Sequence, residues 1–369
     1  MRVLVANLGS TSFKFKLLDM NRGGAELARG NHERIGQPGG EFASHDDVID
    51  VLVPRLGGPP DAIGFKAVHG GPISGAVRVN DDVLAIMQQF ADVAPAHNPV
   101  YIAAMRSFAR KLPGVPQVAA FETAFHQTIP PERQVYAIPH DWTEQLGIRR
   151  YGFHGASHRY IAGRVAELSP GARRVISCHL GGSCSICAIE DGRSVANSFG
   201  MTAQSGVMHN NRVGDFDAFA LLKLVNDRQT LGEVFRRLSK EGGLLGISGV
   251  SNDLRDVTRA AGEGNARAAL AVAAFVESVR HYVGAYLAVV GGCDALVFTG
   301  GIGENAADIR CAVCDRLQFA GIELDTDKNN QRGGERRIDA TASRAEIWVL
   351  PTNEELVVAR QTVEVLKSN

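Results

Sequence analysis

Three short runs of small residues stand directly after apolar stretches in this chain: Gly9–Ser12 in "NLGSTS", Gly181–Cys184 in "HLGGSC" and Gly300–Glu304 in "GGIGEN". Small residues let backbone N–H groups approach an anion closely, so the chemistry they suggest is the holding of phosphates. "GGIGEN" alone is neither a dinucleotide fingerprint nor a Walker loop, because G-x-G-x-x-G is absent and no Gly-Lys-Ser/Thr follows. Three such turns together point to two lobes gripping one polyphosphate. Lys14 and Arg212 are cations in reach of these turns in sequence; a lone strand lysine is usually solvated, while arginine is the residue type a phosphate clamp needs. In "VAAFETAFHQTIPP" the apolar run Val118–Phe121 ends in Glu122. Ending a strand requires no acid, so Glu122 is a candidate for chemistry. His97 in "PAHNP" and His154 and His158 in "YGFHGASHRY" are further candidates. His154 and His158 are spaced as a metal pair on a helix would be, but no HExxH pattern joins them.

The elements that must position these residues follow from periodicity. "RVLVANLG" is a buried strand, "FKFKLLD" resumes with alternation, and the polar turn between them makes a hairpin. "RRVISCHLGGSCSICAIEDG" repeats the pattern 172 positions on: Asn7-Leu8-Gly9-Ser10 matches His179-Leu180-Gly181-Gly182, and Asp19 matches Asp191. A repeat of nearly half the chain is a duplicated domain and not a solenoid. Residues 264–292 carry apolar spacing at i, i+3, i+4 with a glycine stop, which predicts one long helix. Asp215 is positioned to cap a helix, and Thr352-x-x-Glu355 has the pattern of a capping box before a C-terminal helix. Strands and helices alternate, so the fold class is α/β, with helices layered around sheets.

Bulk properties restrict the partners. A net charge of −1 over 369 residues gives no electrostatic footprint for nucleic acid or an anionic membrane. The N-terminus reads as a first strand and not a signal peptide, so a cytoplasmic location is expected. The six cysteines are too sparse for a disulfide scaffold. Of the two Cys-x-x-Cys pairs, Cys184/Cys187 lies in an alternating strand that points its thiols to opposite faces, the wrong geometry for zinc.

The segments "NLGSTSFKFKLLD", "AVHGGPIS", "APAHNP", "FETAFHQTIPP", "YGFHGASHRY", "CHLGG", "LLGISGVSNDLRD", "VFTGGIGENAADIR" and "LPTNEELVVAR" resemble, in order and spacing, those of the acetate kinases. That family are ATP:carboxylate phosphotransferases of the duplicated actin-like (ribonuclease-H-like) ATPase fold. The resemblance implies an N-terminal lobe of residues 1–125 completed by a C-terminal helix over 355–369, and a nucleotide-binding lobe over 126–354. It implies Mg²⁺ (or Mn²⁺) beside Asn7 and Glu354. It implies ATP or ADP held by Ser10, Ser12, Lys14, by His179, Leu180, Gly181, Gly182 and Ser183, by Asp253, Leu254 and Arg255 at the ribose and adenine, and by Gly301, Ile302, Gly303, Glu304 and Asn305. Lys66 and His97 would lie at the acceptor, His154 and Arg212 would stabilise the phosphoryl group in flight, and Glu122 would be the catalytic carboxylate. A homodimer is also implied.

Four places depart from the family pattern. Glu122 stands where the family has aspartate, and Lys66 where it has arginine. The family's "HLGNG" reads "HLGGS", which removes an amide at Gly182 and puts Ser183 at a glycine position. The family's "GTR" reads Asn210-Asn211-Arg212. A methylene moves the Glu122 carboxylate by about 1 Å or more, and an ammonium lacks the bidentate fork of a guanidinium. These changes leave room for a different acceptor such as propionate, a different donor such as pyrophosphate, or a nucleotide-binding protein of impaired catalysis.

Overall fold

The computed structural model describes residues 1–73, 75–95 and 97–368. Ser74 of "AVHGGPIS", Ala96 of "APAHNP" and Asn369 lie outside the described residues. Among the described residues, twelve strands form two six-stranded sheets. The first contains β1 (Arg2–Gly9), β2 (Ser12–Asp19), β3 (Ala25–Glu33), β4 (Ala62–Ala67), β5 (Ala76–Arg78) and β6 (Gln117–Phe121) in the order β3-β2-β1-β4-β6-β5. The second contains β7 (Arg174–Leu180), β8 (Cys184–Glu190), β9 (Arg193–Asn197), β10 (Ala295–Thr299), β11 (Arg336–Arg337) and β12 (Glu346–Val349) in the order β9-β8-β7-β10-β12-β11. The two orders are the same, and so are the directions. Three antiparallel strands meet a parallel pair, and a short antiparallel strand closes the edge. The half-chain repeat is therefore a duplicated sheet. The hairpins differ only at their tips: Gly9 pairs with Ser12 across two residues, Leu180 with Cys184 across three.

The central strands are apolar on both faces because both faces are covered. Leu4, Ala6 and Leu8 of β1 face a core shared with the helices His45–Arg55 and Asn98–Lys111, while Val3 and Val5 face the C-terminal helix Glu354–Lys367. In the second sheet one face packs on the helix Ala266–Val290 and the other on the helix Gly155–Leu168. The long helix starts where Asn265 caps Ala268 N–H and stops at Gly291, whose φ of 69° suits glycine. Cys184 and Cys187 contribute to cores on opposite faces, as strand alternation requires. No helix among the described residues is long and apolar enough to cross a membrane.

Several local expectations need correction. Asp217, not Asp215, caps the helical turn after Arg212; Asp215 instead accepts from Gly206 N–H and the Tyr282 hydroxyl. The C-terminal helix is capped by Asn353, whose side chain accepts from Leu356 N–H, and the Thr352 hydroxyl is left buried without a hydrogen bond. "GGIGEN" is a helix, Gly300–Asn305, and not a loop. Finally, His154 and His158 do not share a helix. His154 sits before the first turn of Gly155–Leu168 with φ of 57°, a left-handed conformation outside the helix, although its ring and that of His158 both reach Ser185 Oγ.

Candidate active site

The carboxyl ends of parallel strands are where α/β sheets present ligands, and most of the candidate residues gather there. Register places three of them in a row. In the parallel pair β1/β4, Ala6 lies beside Phe65, so Asn7 and Lys66 come next, one step further along. In β4/β6, Lys66 lies beside Ala120, and Glu122 follows two residues later on the same face. That face receives the C-terminal helix because Gly64 leaves room for it: a Cβ there would meet Thr362 Oγ1 at 2.4 Å. The helix begins at Glu354 and so brings this residue's carboxylate onto the row.

The result is an ammonium between two carboxylates. Lys66 Nζ is ion-paired to Glu354 at close range and to Glu122 at 3.7 Å, too long for a hydrogen bond. Glu122 is 6% exposed, and both its carboxylate oxygens lack hydrogen-bond partners. Burial raises the Glu122 pKa to about 7, against the pull of Lys66. Burial also opposes the charge on Lys66, but Glu122 and Glu354 outweigh it and hold the ammonium protonated. Glu354 stays below the ordinary carboxylate range because Lys66 offsets its burial. The glutamate's extra methylene now has a physical reading: it extends the carboxylate toward a lysine with no guanidinium fork to reach back.

The second sheet supplies histidines. Glu122 O accepts from Gly155 N–H at 2.9 Å, and a Cβ at Gly155 would meet that oxygen at 2.2 Å, so glycine is required for the crossing between sheets. His154, just before it, lies against His179, with ring centroids 4.1 Å apart and the planes tilted by 34°. Hydroxyls hold both rings: Ser185 Oγ lies 2.9 Å from His154 Nδ1 and 2.8 Å from His158 Nε2, while Ser157 Oγ lies 2.8 Å from His179 Nδ1. Burial first, then neighbouring His179, His158, Lys66 and Arg212, keeps His154 neutral. His97, at the start of Asn98–Lys111, is pushed down to about 4 by burial and by Arg212 and Lys66. The Arg212 guanidinium is half-buried, donates to Ala203 O at 2.6 Å, and has no carboxylate partner among the described residues. Burial lowers its pKa from the ordinary guanidinium value.

His126, four residues after Glu122, donates Nε2–H to Phe153 O and faces Ser194 Oγ with Nδ1, each at 2.8 Å. Burial depresses it to about 4. A histidine depressed in the folded state contributes stability above the unfolded pKa of about 6.5, lost as pH falls toward 4. Urea midpoints at pH 7 and pH 5 test this: His126→Gln is expected to shrink the acid-induced loss by up to about 2 kcal/mol. An unchanged pH dependence would exclude the buried neutral ring as its source.

A separate cavity of about 580 Å³ opens beside the turn after β7. Gly181, Gly182, Asp253, Leu254, Arg255, Gly301, Ile302 and Asn305, all singled out from sequence, line it. Asn210, Thr258, Ala306 and Asp308, not singled out from sequence, line it too. Asp253 caps the helix Leu254–Gly262 and is clamped by Arg255, which holds its carboxyl down to about 2. Glu304 turns away from the cavity and accepts from Gly300 N–H at 3.1 Å. The Leu180 side chain is buried in the core, and Gly303 lies on the buried side of the helix Gly300–Asn305. Gly300 has φ of 78°, and a Cβ there would meet Leu180 O at 2.7 Å. Ser10 and Lys14 are exposed and Ser12 half-buried at the tip of the first hairpin, with Lys14 opposite Asn7; Ser183 sits at the tip of the second. An amide stands beside Gly182: Asn210 Nδ2 lies 3.8 Å from the place of a Cβ at 182, and Asn210 Oδ1 is buried without a hydrogen bond among the described residues.

Comparison with known proteins agrees with this geometry. A profile described as the Acetokinase family matches residues 58–360. The acetate kinase of Dictyoglomus turgidum is 42% identical over 397 residues, covering 99% of this chain and 98% of that protein. The propionate kinase of Citrobacter rodentium is 42% identical over 392 residues, covering 99% and 96%. The crystal structure of Porphyromonas gingivalis acetate kinase superposes with a TM-score of 0.90 at 37% identity, covering 99% of both chains. The two lobes are thus the duplicated actin-like ATPase fold. With a profile match over most of its length and such relatives end to end, the chain belongs to the acetokinase family.

Proposed function

We propose that this protein is an acetate kinase, moving the terminal phosphoryl group of ATP reversibly to acetate to give acetyl phosphate and ADP. The observation that carries this is Arg212, a half-buried guanidinium with no carboxylate partner among the described residues, facing the same cleft as His154, His97 and Lys66. A guanidinium held by one backbone carbonyl keeps further N–H donors in a fixed fork that matches a phosphate. Phosphoryl transfer to a carboxylate brings two anions together, and cationic groups must offset their repulsion. The acceptor is already ionised at neutral pH, so the site needs no general base to activate it. Arg212 neutralises the phosphoryl oxygens. His154, being neutral, serves as a hydrogen-bond donor and not as a second cation. Lys66 and His97 border the acceptor, and Glu122 positions Lys66.

The cavity at Gly181, Asp253 and Gly301 suits the nucleoside, which favours ATP over pyrophosphate as donor. The turns Gly9–Ser12 and Gly181–Ser183, with Lys14 and Asn210, border the phosphates. An oxygen-only set of Asn7, Glu354 and Glu122, whose oxygens accept no hydrogen bond among the described residues, fits a hard divalent cation. Bound there with the nucleotide, Mg²⁺ would draw charge from the phosphate oxygens. Residues 1–125 with the C-terminal helix, and residues 126–354, act as lobes that close on the nucleotide and exclude water.

Trapping acyl phosphate as the hydroxamate, with Mg-ATP and acetate, tests this reading. Folded protein that binds ADP but yields no product above background would instead be a nucleotide-binding protein of impaired catalysis. The propionate kinase relative, as similar as the acetate kinases, makes propionate the comparison acceptor. A higher kcat/KM for propionate would transfer the assignment.

We further infer a cytoplasmic homodimer. Phe219 and Leu222 are 77% and 79% exposed, and Phe216, Leu231 and Phe235 nearby are exposed as well. An apolar patch of this kind marks an association surface. Light scattering is expected to give a dimer for wild type and a monomer for Phe219→Asp/Leu222→Asp; a wild-type monomer would refute the dimer.

A further inference from the structure

We propose that Lys66 is a built-in competitor for the divalent cation: in the nucleotide-free cleft its ammonium holds the place between Glu122 and Glu354 that a metal ion would otherwise take. The inference deepens the metal-nucleotide reading above and rests on it. Three observations carry it. The Lys66 ammonium touches Glu354 and lies 3.7 Å from Glu122. Glu122 is 94% buried by its 6% exposure, and its two oxygens receive no hydrogen bond from anything else among the described residues. The other groups around the cleft, Arg212 and the neutral His97, His154 and His179, offer these carboxylates no further anion and no competing counter-ion at contact distance.

Two buried carboxylates in one cleft must share a cation or take up a proton. Here the chain supplies its own. A lysine is suited to the task, since its charge is compact and its stem flexible enough to give way. One ammonium carries a single charge for two carboxylates, so the neutralisation is incomplete and Glu122 is left under-served. A divalent cation would satisfy both oxygen donors, but must first displace Lys66. Anything that occupies the site in the free protein lowers the apparent metal affinity by mass action. Nucleotide phosphates add oxygens and negative charge, and tip the exchange toward the metal. Lys66 is then released toward the transferring group and the acceptor. Metal therefore enters with nucleotide and not before it.

Mn²⁺ titration of nucleotide-free protein, followed by the loss of the free-ion paramagnetic resonance signal, tests the proposal. Wild type is expected to leave Mn²⁺ free. Lys66→Met is expected to take up a single Mn²⁺, at least about tenfold more tightly than wild type, and Glu354→Gln added to it removes the gain. Mn²⁺ should raise the Tm of Lys66→Met but leave that of wild type unmoved. Because two unpaired buried carboxylates could prevent Lys66→Met from folding, Lys66→Gln, which keeps a hydrogen-bond donor, is carried in parallel. Folded variants that take up no more Mn²⁺ than wild type overturn the proposal. So does nucleotide-free wild type that binds Mn²⁺ as tightly as they do. Failure of the kinase reading itself shows separately, as wild type that does not bind Mn-ADP.

Discussion

Replacing Arg212 with alanine is expected to lower kcat by about 10³-fold or more, the scale of arginine clamps in phosphoryl transfer, with a smaller change in KM for nucleotide. The side chain is half-buried and donates to Ala203 O, so it is held in place before substrate arrives. It has no ion pair to lose among the described residues, and its removal should therefore not destabilise the fold. Burial already disfavours its charge, and truncation would relieve that cost. The expected signature is thus a folded protein with an unchanged or raised Tm and a collapsed kcat. Lys at 212 should recover only part of the rate, since an ammonium binds phosphate as a point charge and not as a fork. A kcat within severalfold of wild type would remove Arg212 from the chemistry, and with it the observation on which the proposed function rests.

Shortening Glu122 to aspartate should cost about 10²-fold in kcat, the scale of a 1 Å misplacement near a reacting centre. The two departures at 66 and 122 lie beside each other across parallel strands, Lys66 paired with Ala120 and Glu122 two residues on. Their ion pair is already 3.7 Å long. Removing a methylene lengthens it further, and leaves Lys66 to Glu354 alone. Lys66→Arg by itself should be equally harmful, because the cleft is fitted to a lysine between two buried carboxylates. The double change Lys66→Arg/Glu122→Asp is expected to recover most of the loss. The cycle would then show a coupling of the kind seen between contacting residues, about 0.5–3 kcal/mol. Additive losses, or an aspartate single variant as fast as wild type, would show that the two positions do not compensate each other.

A second exchange follows the same logic. Gly182 lacks the amide expected in the turn after β7, and Asn210, from a segment 28 positions later, places its own amide beside that turn. The family resemblance exposed the gap at 182 and the oddity at 210 as separate departures. Only the fold brings them together.

The sequence by itself determined the central strands, the duplicated hairpin and the long helix. These depend on local rules: two-sided burial of a central strand, turn chemistry, helical periodicity and caps. It went astray where two local candidates competed, as Asp215 against Asp217 and Thr352 against Asn353, since either could cap and packing chose. The residue types of the cleft were legible from the motifs, and so was their gathering at strand ends. What tertiary structure alone decided was who faces whom. Glu304 turned inward to Gly300, Arg255 folded back on Asp253, and the histidines at 154 and 179 became neutral through burial. Above all, Lys66 met both Glu122 and Glu354, the latter 288 positions away. Such partners are set by sheet register and by a helix that returns from the far end of the chain. Charges in a buried cleft interact over ångströms of space, and no spacing along the sequence encodes that distance.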